Sequence, residues 1–180
     1  MILVVGGFGT VLLTNKSQQT SWPGRNTEGE QNPARRRGAV IFQTGRNDCG
    51  AASLTMILDH FGRHVMPQEL AQRMTAPPGG ASMQQLKNIA GQFGLKAEGW
   101  RLSCEDMPGI RYPAIIFLSR GHFVVADSMD RSGFLWVRDP STGVGKLSRD
   151  ILKRSWRGEA LLFSGAESIA VRNSRIVEKQ

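Results

Sequence analysis

Asn47-Asp48-Cys49-Gly50-Ala51-Ala52-Ser53-Leu54-Thr55-Met56-Ile57-Leu58-Asp59-His60-Phe61-Gly62 is the stretch from which the rest of the chain can be read. Leu54, Ile57, Leu58 and Phe61 recur at i, i+3, i+4 and i+7, the spacing that gathers side chains on one helical face. Asp48 or Asn47 suits the N-cap of that helix and Gly62 its stop. Cys49 therefore opens a helix, where N–H groups lack intrahelical partners and favour a thiolate. A cysteine can equally serve as a small apolar filler. A filler belongs on the Leu54/Ile57/Phe61 face, however, and not at a polar end between Asp48 and Gly50, where the glycine leaves the thiol uncrowded.

Downstream, Pro67 fits the first turn of a second short helix with Leu70, Ala71 and Met74 inward. Pro77-Pro78-Gly79-Gly80 reads as a loop. Ser82, with Gln85 three residues on, forms a capping box for a third helix whose face is Leu86, Ile89, Ala90 and Phe93, closed by Gly94. Extended runs follow at Lys96–Leu102, Ala114–Leu118, His122–Ser128, Phe134–Arg138 and Ala160–Ser164. The turn composition of Asp130-Arg131-Ser132-Gly133 predicts that the third and fourth runs pair as a hairpin. Helices first and an antiparallel sheet second is an α+β arrangement.

His122 follows Gly121 and starts an apolar strand, a place from which an imidazole can face a helix end. A histidine satisfied at a strand edge is the competing reading. Asp139 ends the partner strand, stopped by Pro140, so the hairpin alone predicts that it meets His122 and fixes its tautomer. Asp-Pro turns are frequent elsewhere. Gln43, six residues before Cys49, can donate its amide to a developing oxyanion together with the Cys49 N–H. His60 and His64 lie two to three turns along the helix from Cys49, at ~1.5 Å per residue too far to serve it. They are spaced poorly for a metal, and they receive no role. Cys104, beside Glu105-Asp106, reads as a quiet thiol. Gly143-Val144-Gly145-Lys146 looks like part of a phosphate loop, but Pro140 and Leu147 stand where glycine and Ser or Thr are needed. No cofactor, metal or nucleic acid is expected.

These motifs resemble a known family. Gln43 to Leu54, Gly121-His122-Phe123-Val124-Val125 and Arg138-Asp139-Pro140 are similar to the bacteriocin-processing, double-glycine cysteine peptidases often fused in front of peptide-exporting ATP-binding-cassette transporters. The resemblance covers about residues 40–164. It implies a papain-like fold, a Cys49/His122/Asp139 triad with Gln43 as oxyanion donor, and hydrolysis after a Gly-Gly pair that ends a leader. Some exporters retain a version without the cysteine that only docks cargo; Cys49 argues against that form here. It further implies a leader-bearing precursor as partner, together with a separate exporter or secretion apparatus, since no transporter sequence accompanies these motifs. An apolar patch for a helical leader is sought among Met66, Met74 and Met83, flexible side chains suited to a tolerant groove, although each can equally fill the core. The alternatives are a non-catalytic leader-docking module and a papain-like amidase or acyltransferase of the cell envelope.

Composition sets the limits. The chain has 180 residues, a net charge of +8 and two cysteines. That favours one compact domain over a disulfide framework, expected at 39–165 between a polar linker and a tail at 166–180. The Arg35-Arg36-Arg37 run suits contact with phosphates or anionic lipid, but the charge pattern favours a solvated linker. Residues 1–38 begin with an apolar segment, Met1 to Leu13. It is too short to span a bilayer comfortably and lacks the basic start of a secretion signal. A truncated signal, an added strand and a weak anchor all fit it, so a cytoplasmic and a membrane-associated location both remain open.

Overall fold

The computed structural model describes residues 39–74 and 80–165. The readings of Met1–Leu13, of the arginine run, of the Pro77–Gly79 loop and of the tail lie outside the described residues. The elements run α1 (Cys49–His60), α2 (Pro67–Arg73), α3 (Met83–Gln92), β1 (Leu95–Arg101), β2 (Ala114–Leu118), β3 (His122–Met129), β4 (Leu135–Asp139), β5 (Gly143–Leu147), α4 (Arg149–Ser155) and β6 (Trp156–Gly165). The strands form a six-stranded antiparallel sheet in the order β1-β6-β2-β3-β4-β5. It is the α+β, papain-like arrangement expected. No helix among the described residues is long and apolar enough to cross a membrane.

α1 is the hub. It is buried continuously from Cys49 to Leu58, not along one face alone. Leu54, Ile57 and Leu58 pack with Leu86, Ile89, Ile115, Phe123 and Val125 between the first three helices and the sheet. Its inward hydroxyls are satisfied: Ser53 Oγ donates to the Phe123 carbonyl at 3.3 Å and Thr55 Oγ1 to the Ala51 carbonyl at 2.9 Å. Gly50 has a different purpose from the one the sequence suggests. A Cβ there would stand 3.0 Å from Ala81 Cβ and 3.4 Å from Leu86 and Phe123, so its absence lets α1 close on its neighbours. The capping box at Ser82/Gln85 forms as expected, with Gln85 N–H on Ser82 Oγ and Ser82 N–H on Gln85 Oε1.

The opposite face of the sheet is covered by α4 and the 102–113 segment, around Met107, Val124, Val137, Leu152 and Trp156. Two of its elements go beyond the sequence reading. Gly143–Leu147 is the edge strand β5, paired from Asp139↔Gly143 to Leu135↔Leu147. Ser148 then caps α4, its Oγ accepting from Ile151 N–H at 3.3 Å. β6 also starts earlier than expected, at Trp156.

The β3–β4 pair contains a bulge. Val125 faces Arg138 and Ala126 faces Val137, but Ser128 faces Trp136, leaving Asp127 as the extra residue. Asp127 meets Arg138 in a two-pronged ion pair at 2.9 and 3.0 Å, with side chains 0% and 1% exposed. A third guanidinium nitrogen reaches the Ala39 carbonyl at 3.3 Å. Removing one member of a buried pair strands the other charge, at a cost of about 3–5 kcal/mol. Arg138→Ala is therefore expected to lower unfolding free energy in urea by about that amount, and Arg138→Met with Asp127→Leu to recover much of it. A loss under about 1 kcal/mol for the single variant would show the pair to be dispensable.

Candidate active site

Cys49 lies at the first turn of α1 and is 6% exposed. Asp48 precedes it, but its carboxylate does not cap the helix. It accepts instead from Gly45 N–H at 2.8 Å and Thr44 Oγ1 at 2.9 Å, which ties the 43–48 loop into a knot. Gly45 is required for that closure, since a Cβ would come 2.9 Å from Asp48 Oδ2.

β3 delivers His122 and the end of β4 delivers Asp139. His122 Nε2 and Asp139 Oδ1 are 2.7 Å apart, with side chains 21% and 4% exposed. The other ring nitrogen remains for the Cys49 thiol, with which the imidazole also shares a hydrogen bond. The three residues predicted from the sequence are thus brought together.

The electrostatics run against burial at every member. Burial pushes the Cys49 thiol up, but the His122 imidazole and the N–H groups of Phe123 and Gly50 outweigh it, and the thiol falls below its ordinary value. Burial pulls His122 down, while Asp139 and Cys49 raise it to about 9. Burial raises Asp139, yet the imidazole and the Ser141 N–H hold it below the usual carboxylate range. Such a set favours a thiolate beside an imidazolium. Cys104 is the contrast: burial and Glu105 push its thiol up.

Gln43 is linked to the same turn. Its N–H donates to the Pro140 carbonyl at 3.0 Å and its Nε2 to the Gly45 carbonyl at 2.9 Å. Its Oε1 accepts from Ser141 Oγ at 2.9 Å. Ser141 also donates its N–H to Asp139 Oδ1 at 2.7 Å, and its hydroxyl lies 3.5 Å from His122 Nε2. The sequence reading missed Ser141, for which only its place after Asp139-Pro140 could have been a signal.

The methionines divide. Met74 is 5% exposed within the helical core, so the structure removes it from any surface groove: α2 turns it inward beside Leu70. Met66 is 66% exposed, and Met83 is half-buried against the core. A hollow of about 240 Å³ is lined by Phe42, Ala51, Ala52, Pro67 and Ala71; Met66, the residue before Pro67, is not among its walls. Phe42, 57% exposed, is an apolar contributor that sequence patterning did not single out. His64 sits at the far end of α1, 3.2 Å from Asp59, and no cluster among the described residues could hold a metal.

Comparison with known proteins gives a consistent result. The model of the family described as "Peptidase C39 family" matches residues 37–168. The chain is 32% identical over 137 residues to a probable microcin-H47 secretion/processing ATP-binding protein of Escherichia coli, covering 76% of this chain and 20% of the relative. It is 32% identical over 133 residues to the colicin V secretion/processing ATP-binding protein of Escherichia coli, covering 73% and 19%. The chain thus spans about a fifth of the length of these curated relatives. Among solved structures, a double glycine motif protease from an AMS/PCAT transporter, crystallised with the leader peptide, superposes with a TM-score of 0.67 at 27% identity. That match covers 72% of this chain and 96% of the other.

Iodoacetamide labelling across pH tests the ion pair. Cys49 should alkylate with a midpoint below that of Cys104, because only Cys49 has an imidazolium beside it. Equal midpoints for both thiols would count against an activated Cys49.

Proposed function

The chain belongs to the peptidase C39 family, and on that premise we propose that it is a catalytically competent cysteine endopeptidase cutting after the Gly-Gly pair of a leader-bearing precursor. The observation that carries competence is the depressed Cys49 thiol beside an imidazole held at 2.7 Å by Asp139.

In this reading Cys49 Sγ attacks the scissile carbonyl carbon. The oxygen becomes an oxyanion, met by the Cys49 N–H and by the Gln43 amide N–H not engaged with Gly45. His122, entering as imidazolium, gives its proton to the departing amine. The acyl-enzyme then takes a water whose proton passes to His122, and the thiolate leaves as the carboxylate product forms. Asp139 keeps the imidazole in one orientation throughout. The fall of activity on the alkaline side should follow His122 losing its proton near 9; on the acid side it should follow protonation of the thiolate.

Ser141 acts through Gln43. By donating to Oε1, its hydroxyl fixes which end of the amide is the donor, so Nε2 faces the loop that carries the oxyanion site. Gln43→Ala should then cost roughly 10²–10³ in kcat, and Ser141→Ala roughly fivefold to tenfold. In the Gln43→Ala background the Ser141 change should cost nothing further. Additive losses would take Ser141 out of this role, and near-wild-type turnover for Gln43→Ala would take Gln43 out.

The Gly-Gly preference is supported by the 6% exposure of Cys49, since a thiol so enclosed is best reached by residues without side chains. A helical leader fits the hollow at Phe42, Pro67 and Ala71, with Met66 and Met83 as flanking contacts. The precursor, and an exporter or secretion apparatus to receive the product, are the partners this reading requires. The full chain should cleave a peptide with an amphipathic helix before Gly-Gly, and should spare its Ala-Val counterpart. Equal cleavage of both, or of neither while Cys49 remains alkylatable, would end the double-glycine assignment.

A further inference from the structure

A second hollow, of about 490 Å³, lies against the His122–Asp139 pair and takes no part in the arrangement above. His122, Asp139 and Ser141 form one wall; Arg120 and Arg154 stand on the others, over Leu118 and Ile151. Arg120 lies in the β2–β3 turn, two residues before His122, and Arg154 in the last turn of α4.

A hydrogen bond fixes their relation. The Ser119 N–H donates to the Ser155 carbonyl at 2.6 Å, and the adjoining residues Leu118 and Trp156 are paired across β2 and β6. Arg120 is the residue after one end of that bond and Arg154 the residue before the other. Two guanidinium groups are thereby brought to the same hollow. Neither has an ion-pair or hydrogen-bond partner among the described residues. Of the cations near them, Lys153 pairs with Glu105 and Arg101 with Glu159, whereas Arg149 and Arg157 also stand without an ion pair among the described residues but do not line the hollow. The carboxylate lining the hollow, Asp139, is already engaged by His122 and the Ser141 N–H. A position in the last turn of a helix explains one arginine by its dipole, but it does not explain a second from another element facing the same space.

We propose that this hollow is a specificity pocket for an acidic residue close to the scissile bond, whose carboxylate is bound between Arg120 and Arg154. Guanidinium groups are suited to carboxylates by their planar, forked donors. The apolar floor at Leu118 and Ile151 accommodates the methylenes of a glutamate. Substrate stretched across His122 toward this side would place a side chain there without disturbing the Cys49 end. The inference rests on the peptidase reading for its role in cleavage, but binding itself does not require turnover.

The test scans a single glutamate, against glutamine, through the positions on both sides of the Gly-Gly bond. At one position glutamate should raise kcat/KM roughly tenfold over glutamine, and added salt should reduce that ratio. The ratio should fall toward one in Arg120→Gln, Arg154→Gln and the double variant; as it is taken within each protein, any general loss of activity cancels. In parallel, Cys49→Ala protein should bind the favoured glutamate peptide more tightly than its glutamine twin by fluorescence anisotropy. That preference should vanish with both arginines replaced. Binding preference without cleavage would overturn the peptidase reading and leave the pocket standing. Cleavage with no glutamate preference at any position, or a preference that survives the double variant, would overturn the pocket.

Discussion

The guanidinium of Arg138 and the carboxylate of Asp127, both out of reach of water, hold a bulge in the β3–β4 hairpin, and the meeting of His122 with Asp139 depends on that bulge. Met129 pairs with Leu135 beside the turn. Continued without interruption, the ladder would set Val125 opposite Asp139, and Asp139 would project from the face opposite to His122. The extra residue, Asp127, shifts the ladder by one. Val125 then pairs with Arg138, so Asp139 falls opposite Val124, on the same face as His122 and one diagonal step away. The residue that makes the bulge is also the one that anchors it. The same arginine reaches Ala39, which steadies the segment leading to Gln43, so both sides of the site are referred to one buried pair.

Around that frame the site works by opposition. Each member is partly withdrawn from water, which disfavours its charge, and each is restored by the next: thiolate by imidazolium, imidazolium by carboxylate, carboxylate by the Ser141 N–H. A set so linked responds as a unit. The β4–β5 turn therefore does more than end a strand. Through Asp139, Pro140 and Ser141 it contacts the His122 imidazole, the backbone of Gln43 and the Gln43 amide, which makes it the junction between the His122 pair and Gln43.

Much of this was legible in the sequence. The helical period after Cys49, the Ser82/Gln85 box and the Asp130–Gly133 turn are local signals, and each appears where expected. The meeting of His122 with Asp139 was inferred correctly but for an incomplete reason, because a regular hairpin would have kept them apart. A bulge has no dependable pattern in one sequence: Asp127 and Arg138 look like surface charges until their burial is seen. β5 was hidden by its glycines, which weaken a strand pattern, and α4 by its shortness, with few apolar residues to show a period. The sequence admits Met74 both as an inward residue of the second helix and as a groove candidate; its burial, at the C-cap of α2, decides for the first. Ser141 carries no pattern beyond its place after Asp139-Pro140; its importance comes from contacts with Asp139, Gln43 and His122 that only the folded turn creates.

The carboxylate of Asp48 has a consequence that reaches beyond the loop it closes. Because it is committed to Thr44 and Gly45, α1 starts without a side-chain cap, a deficit usually amounting to about 1 kcal/mol. The helix most central to the core is thus left incomplete at the end where the thiol sits. On the proposed mechanism a substrate would supply part of what this end lacks, its oxyanion accepting from the Cys49 N–H, one of the amide groups α1 leaves without an intrahelical partner. In that reading transition-state affinity draws on the same bare helix end that a cap would close over, and a thermostability programme that capped every helix would crowd the one end that the proposed chemistry needs open.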